Sequence, residues 1–357
     1  MNKTVFKQLF QNAWIRAAFL IVLTAFCYSQ ALDGEFIWDD HSYISNNQFL
    51  RDMEGLRILW FDLEAHSPYF PMVFSVFWVL YQLFGLDPFA YHLINVILHI
   101  MNALLIWHIL KRLKVSGAYW AGLIFAIHPV HVESVAWICE LKNTLSGLFF
   151  LSALTVYLRN YSEKWKRKIS PGIYAAAILL AVLALLSKPT TCIFPVVILI
   201  ILWWKKKKID FGDLGWLGPF VVFGLGLSLL TLWMEVYHNG VRGGEWDRTF
   251  IESCLIAGRA VWFYLGKLIF PANLSFVYSR WNIDALCWWQ YLYPVSFLFF
   301  LFGIWKIACR QGKGLFVAII YFIFALFPVL GFFNFYFMRH SYVADHFQYL
   351  ASIGPIA

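Results

Sequence analysis

Pro88-Phe-Ala-Tyr-His-Leu-Ile-Asn-Val-Ile-Leu-His-Ile-Met-Asn-Ala-Leu-Leu-Ile-Trp-His-Ile-Leu110 is a long apolar run that stops at Lys111-Arg112-Leu113-Lys114. As a helix it reaches about 35 Å, enough to cross the ~30 Å hydrocarbon core of a bilayer. Its polar members His92, Asn95, His99 and Asn102 recur at helical spacing. They form one stripe, whose default use between membrane helices is interhelical hydrogen bonding. Similar runs recur along the whole chain. Hydrophobic residues make up 61 % of it, Asp, Glu, Lys and Arg only 13 %, and mean hydropathy is +0.66. A soluble domain carries about 25 % charged residues. A water-soluble globule and a disordered chain are both excluded. A membrane barrel would show alternating segments of ~10 residues, and none occur. The sequence predicts an all-α polytopic membrane protein.

Basic clusters punctuate the apolar runs: 111–114, 164–168, 205–208, and Lys306, Arg310 and Lys313. Short Lys/Arg-rich loops stay cytoplasmic. With these clusters and the N-terminus (Lys3, Lys7, Arg16) inside, spans are predicted over 12–32, 88–110, 116–127, 140–158, 172–186, 191–204, 214–235, 288–305 and 315–333. The first reads as an uncleaved anchor, since its apolar stretch is long for a signal peptide. Segments 69–86 and 255–270 begin and end outside in this topology. They read as interfacial or re-entrant helices, which puts the total between nine and eleven. No linker divides the chain, so 1–357 is read as one membrane domain, with outer loops at 33–87 and 237–287.

The net charge of +8 resolves under this topology into about +15 inside and about −7 outside. The positive part orients the chain and implies no nucleic-acid partner. The acidic outer side is where chemistry is expected. Asp39 and Asp40 open the first outer loop, beside the position of a lipid head group, and one of them can serve as general base for a hydroxyl. The second cluster is His128-Pro-Val-His131-Val-Glu133, with His131 and Glu133 expected on the same outer surface. Its spacing is not a recognised zinc pattern, so no cofactor is assigned and a divalent metal is only an option. Lys188, Lys267, Arg280 and Arg339 fall on the outer side as donors for a phosphate. The six cysteines, Cys27, Cys139, Cys192, Cys254, Cys287 and Cys309, form no CxxC pair and are expected as separate thiols.

Several ordered motifs resemble the transmembrane and tetratricopeptide-repeat proteins, O-mannosyltransferase-like members of the GT-C superfamily, in their bacterial form. They are Phe36-Ile-Trp-Asp-Asp-His-Ser-Tyr-Ile, Asn95-Val-Ile-Leu-His, His128-Pro-Val-His-Val-Glu-Ser-Val-Ala-Trp and Leu186-Ser-Lys-Pro-Thr. Lys267-Leu-Ile-Phe-Pro-Ala-Asn-Leu-Ser-Phe-Val-Tyr and Val343-Ala-Asp-His-Phe-Gln-Tyr-Leu-Ala-Ser-Ile-Gly complete the set. The resemblance implies a GT-C fold with a seven-helix module and interfacial helices in the first outer loop. It implies a polyprenyl-phosphate sugar as donor, and a Ser or Thr hydroxyl of a secreted protein, or a glycan, as acceptor. Asp39 and Asp40 match the family's acidic pair, His131 and Glu133 its second outer motif, and Lys188 its Ser-Lys motif. Relatives carry Tyr-Arg-Pro where this chain has Tyr69-Phe70-Pro71, and an Arg near His346. Arg280, Arg339 or His346, beside Asp345, are the expected substitutes for holding phosphate. Relatives also continue into helical repeats, which this chain does not include.

The resulting expectation is a membrane glycosyltransferase of the bacterial inner membrane with its site on the periplasmic face. Asp39, Asp40 and Glu133 are its catalytic candidates. The competing readings are a non-catalytic scaffold and a lipid-linked sugar transporter. Convergence of Asp39 or Asp40, Glu133 and Lys188 on one outward cavity separates the first reading from the others.

Overall fold

The computed structural model describes residues 12–64, 68–206 and 208–357. Lys3, Lys7 and Lys207 of the basic clusters lie outside the described residues. Helices make the fold, and among the described residues the only bridge of β type joins Tyr161 to Arg167. The predicted spans are found as α1 (Ala13–Cys27), α4 (Pro88–Arg112), α5 (Ala118–Ile127), α6 (Leu141–Leu158), α7 (Pro171–Ser187), α8 (Phe194–Lys205), α9 (Gly218–Tyr237), α11 (Leu292–Gln311) and α12 (Gly314–Leu326). Between them lie α2 (Met53–Phe61) and α3 (Pro71–Phe84), before α4, and α10 (Phe250–Ile269), between α9 and α11. Four stretches are long and apolar enough to cross a membrane: Pro88–Arg112, Ile138–Leu158, Phe211–Tyr237 and Trp288–Gln311. Six more apolar helices are shorter. The protein is an all-α membrane protein.

Local sequence sets the helix ends. Pro88 and Pro171 occupy first helical turns, where a missing N–H costs nothing. Lys111 and Arg112 end α4, where cations suit the negative end of the helix dipole. Helix α5 has only 10 residues and reaches about 15 Å, half the hydrocarbon thickness. It stops because Pro129 follows His128 and starts a tighter turn.

The main core joins α4, α5, α6, α7, α8, α12 and α10. Ala177, Ala181 and Ala184 form a small-residue face on α7, which lets helix axes approach closely. The polar stripe of α4 bridges helices as its spacing predicts. Asn95 Nδ2 donates to the carbonyls of Trp137 and Ile138, both at 3.3 Å, and its Oδ1 accepts from Thr144 at 2.8 Å. His99 reaches Tyr349 Oη at 2.8 Å and the Ala126 carbonyl at 3.0 Å. Asn102 donates to the Thr144 carbonyl at 2.8 Å and to Tyr349 Oη at 3.0 Å.

The two ends of the bundle differ in chemistry. At one end Arg112 donates to the carbonyls of Leu158 and Tyr161, and Lys205 to that of Leu113. Arg167 pairs there with Asp210 at 2.8 Å and with buried Asp213 at 3.1 Å, and Lys206 also holds Asp213. The other end carries the loops 33–87 and 237–287 and their carboxylates.

Helix α3 lies along the first outer loop. Ser75 accepts from Trp60 Nε1, Trp78 Nε1 donates to the Asp52 carbonyl, and Gln82 donates to the carbonyls of Leu50 and Arg51. Its other face, Val73, Phe74, Phe77 and Leu80, is buried in a second core with Tyr91, Trp137 and Ile138. That is an amphipathic helix packed on the bundle end. Helix α10 crosses the same end. Its middle meets the first turns of α11, where a Cβ on Gly258 would stand 2.7 Å from Pro294 Cα. Its last turn accepts from His128 Nε2 through the Leu268 carbonyl at 3.0 Å. Its first turn meets Phe332, beyond α12.

Candidate active site

Two backbone features present the acidic pair. Trp38 adopts a left-handed φ of 45°, and the chain turns there, with Asp40 N–H donating to the Ile37 carbonyl. The side chains of Asp39 and Asp40 consequently diverge. Asp40 is fully buried. One of its oxygens accepts from Ile37 N–H at 3.0 Å and the other from Cys139 N–H at 2.8 Å. It staples the first outer loop to the start of α6. Asp39 is half-buried and faces a charged cluster. Burial raises its pKa; Lys142 opposes this, Glu140 adds to it, and His340 and His346 oppose it.

That cluster is built from three distant stretches. Glu140 is fully buried at the head of α6 and pairs with Lys142 at 2.7 Å. His346 Nε2 stands 3.8 Å from Glu140, and Lys188, at the end of α7, stands 3.9 Å from it. Asn143 ties these groups together. It donates to Glu140, to Ser134 Oγ at 3.2 Å and to the His346 carbonyl at 3.0 Å, and it accepts from Lys188. Glu133 grips His346 twice, accepting from its backbone N–H and pairing with Nδ1, both at 2.8 Å. Asp345 accepts from Tyr278 Oη at 2.8 Å. Its carboxyl is pushed up to about 6, first by burial, with Glu133 adding to the rise and Lys267 and His346 opposing it.

The structure therefore brings Asp39, Glu133, Lys188, Asp345 and His346 to one place. They do not line an open cavity. Side-chain exposure is 8 % for Glu133, 12 % for Lys188 and 4 % for His346. Trp38, Trp137 and Phe276 roof the cluster, the two indoles stacked with 5.8 Å between centroids. Lys267 spends its ammonium on the carbonyls of Ala272 and Asn273, at 2.7 and 2.9 Å, and fixes the loop after α10. Arg280 lies over the Tyr342 ring, in the small outer cluster with Trp246 and Met338. Arg339 is exposed at the end of the turn Tyr336–Arg339.

His131 departs from expectation. It does not face the outer surface beside Glu133 but is fully buried among Phe125, His99 and Tyr349, 3.2 Å from Ser352 Oγ. The tight turn Pro129–His131 swings it inward, while Glu133 leaves from the next helical turn. Glu140, Lys142 and Asn143 were missed. Their signal was a Glu and a Lys inside an apolar span, a placement that marks function in membrane proteins. Among the described residues no group of three or more His, Cys, Asp or Glu could hold a metal ion. The six cysteines are free thiols.

Residues 66–231 match the dolichyl-phosphate-mannose-protein mannosyltransferase family. Mouse protein O-mannosyl-transferase TMTC1 is 32 % identical to it over 192 residues, 49 % of this chain and 20 % of the relative. Protein O-mannosyl-transferase F38B6.6 of Caenorhabditis elegans is 31 % identical over 185 residues, 47 % of this chain and 25 % of the relative. Mouse protein O-mannosyl-transferase TMTC2 is 28 % identical over 315 residues, 76 % of this chain and 36 % of the relative. The chain thus spans about a fifth to a third of the curated relatives' length. No solved structure matches it. The matched segment runs from α3 to most of α9, and so includes Glu133, Glu140, Lys142 and Lys188. Asp39, Asp345 and His346 reach the cluster from outside the matched segment.

Proposed function

We propose that this protein is a membrane glycosyltransferase. It moves a sugar, mannose by its family, from a polyprenyl-phosphate donor to a Ser or Thr hydroxyl of a secreted protein. The observation that carries the reading is the gathering of Asp39, Glu133, Glu140, Lys188 and His346 at one end of the bundle. Asp39 is the general base. Asp40 has both oxygens committed to backbone amides, whereas Asp39 is half-buried and has its proton affinity raised by burial. The acceptor oxygen bonds to the anomeric carbon as the carbon–oxygen bond to the lipid phosphate breaks. The hydroxyl proton goes to Asp39, and the polyprenyl phosphate leaves with the bonding electrons. Lys188 stands where a cation can offset that charge, with Lys142 behind it. Glu133 orients His346. Helix α3 lies where the polyprenyl chain enters from the bilayer, and the site faces the periplasmic side of the inner membrane.

Asp39→Asn and Asp40→Asn test this assignment separately. Asp39→Asn is expected to leave thermal unfolding in detergent unchanged and to abolish transfer from polyprenyl-phosphate mannose to an acceptor peptide. Asp40→Asn is expected to lower the unfolding temperature, because its amide keeps one oxygen acceptor and turns an NH2 donor toward the second buried N–H. Full transfer by Asp39→Asn would overturn the assignment of the base.

A further inference from the structure

Among the described residues four that are not glycine hold a left-handed backbone, Trp38, Lys114, Trp165 and Asn273, and of these Trp38 lies at the carboxylate cluster. A bulky residue rarely adopts a left-handed backbone, and where one does, the strain marks a position held for a purpose. Here φ is 45°, and the residue directly precedes the general base. The strained turn does not serve to bury the indole, which is 44 % exposed. One side of the ring is backed by Trp137 and Phe276, at 5.8 and 4.9 Å between centroids, and His340 meets it edge-on at 6.3 Å. Trp137 is 4 % exposed and keeps an indole N–H with no hydrogen-bond partner. A flat aromatic surface, braced from behind and open in front, directly precedes a half-buried carboxylate.

We propose that Trp38 is the platform on which the sugar ring of the lipid donor stacks. A pyranose presents a face of C–H bonds, polarised positive, that suits the negative face of an indole. Stacking there fixes the anomeric carbon relative to Asp39, one residue away. The ligand class is a neutral hexose; the lipid and phosphate are recognised elsewhere. This inference rests on the glycosyltransferase reading above.

The test uses the full chain in detergent and two probes, polyprenyl-phosphate mannose and the same polyprenyl phosphate without sugar. Glycine carries no penalty at positive φ, so Trp38→Gly removes the ring without adding strain. Trp38→Phe retains a smaller ring. The expected result is about tenfold weaker binding of the mannosyl lipid by Trp38→Gly, an intermediate loss in Trp38→Phe, and unchanged binding of the bare lipid. Thermal unfolding of Trp38→Gly should match or exceed that of the wild type. Equal loss of both lipids, or no loss of either, overturns the platform alone. A loss confined to KM for the acceptor peptide also overturns it, and places the acceptor on this ring. If the wild type binds both lipids equally, the donor reading fails and the platform falls with it.

Discussion

At the scale of single residues, the carboxylate-bearing end of the bundle holds more buried charge than stability alone favours. Glu140 faces Lys142 at 2.7 Å with no exposure of its own, and Lys188 and His346 stand close by. Removing one partner of such a group leaves the others charged and unpaired, at a cost of about 3–5 kcal/mol. Glu140→Gln should therefore lose about that much stability in denaturant titration in micelles. Glu140→Gln with Lys142→Gln should recover part of the loss. A double variant losing the sum of the two single losses would mean the two charges are not coupled. Asp345 has a sign of its own. Its carboxyl titrates at about 6 when folded against an ordinary value of 3.8. Below 3.8 both folded and unfolded chains hold the proton. Between 3.8 and about 6 only the folded state holds it, so stability falls as pH rises through that window and the cost is complete above it. Asp345→Asn removes the titration while keeping an acceptor for Tyr278. Its unfolding temperature should change less than the wild type's across that window, and parallel curves would refute the assignment.

At the scale of elements, the long spans were legible because one rule governs them: apolar runs ending in Lys and Arg. Helices α4, α6, α9 and α11 begin and end within a few residues of where that rule places them. Helices α3 and α10 stood apart in the sequence because the basic clusters left neither a place as a span, and both pack across the carboxylate-bearing end. The charged site was only partly legible. Asp39 and Glu133 announce themselves as carboxylates in outer loops. Glu140 and Lys142 hide in the first turn of a span, and their partner His346 lies some 200 residues away, a pairing that no local pattern encodes. His131 misled because the turn at Pro129 decides its direction. The crossing of α10 over α11 is itself testable. Gly258 faces the Pro294 backbone so closely that a methyl would meet it at 2.7 Å. Backbone atoms cannot step aside as a side-chain tip can, so Gly258→Ala should cost about 1–3 kcal/mol. A wild-type unfolding temperature would show that the helices are free to separate.

At the scale of the whole molecule, the two ends carry opposite chemistry, and helix α6, 18 residues long, sets them about 27 Å apart. The cations Arg112, Arg167, Lys205 and Lys206 lie at one end, spent on helix carbonyls and on Asp210 and Asp213. The other end holds Asp39, Glu133, Glu140 and Asp345. Excess Lys and Arg keeps a membrane end in the cytoplasm, so the carboxylate end is proposed to face outward, where a secreted acceptor arrives. Two cysteines report this directly. Cys309 is exposed near the end of α11, beside Lys306 and Arg310. Cys287 precedes α11 at the opposite end, its thiol 3.6 Å from Asp284. In variants keeping only one of these thiols, a membrane-impermeant maleimide should label Cys287 in cells whose inner membrane is intact. Cys309 should react only after that membrane is permeabilised. The reverse pattern would turn the molecule over and place the acidic cluster in the cytoplasm, where no secreted hydroxyl could reach Asp39.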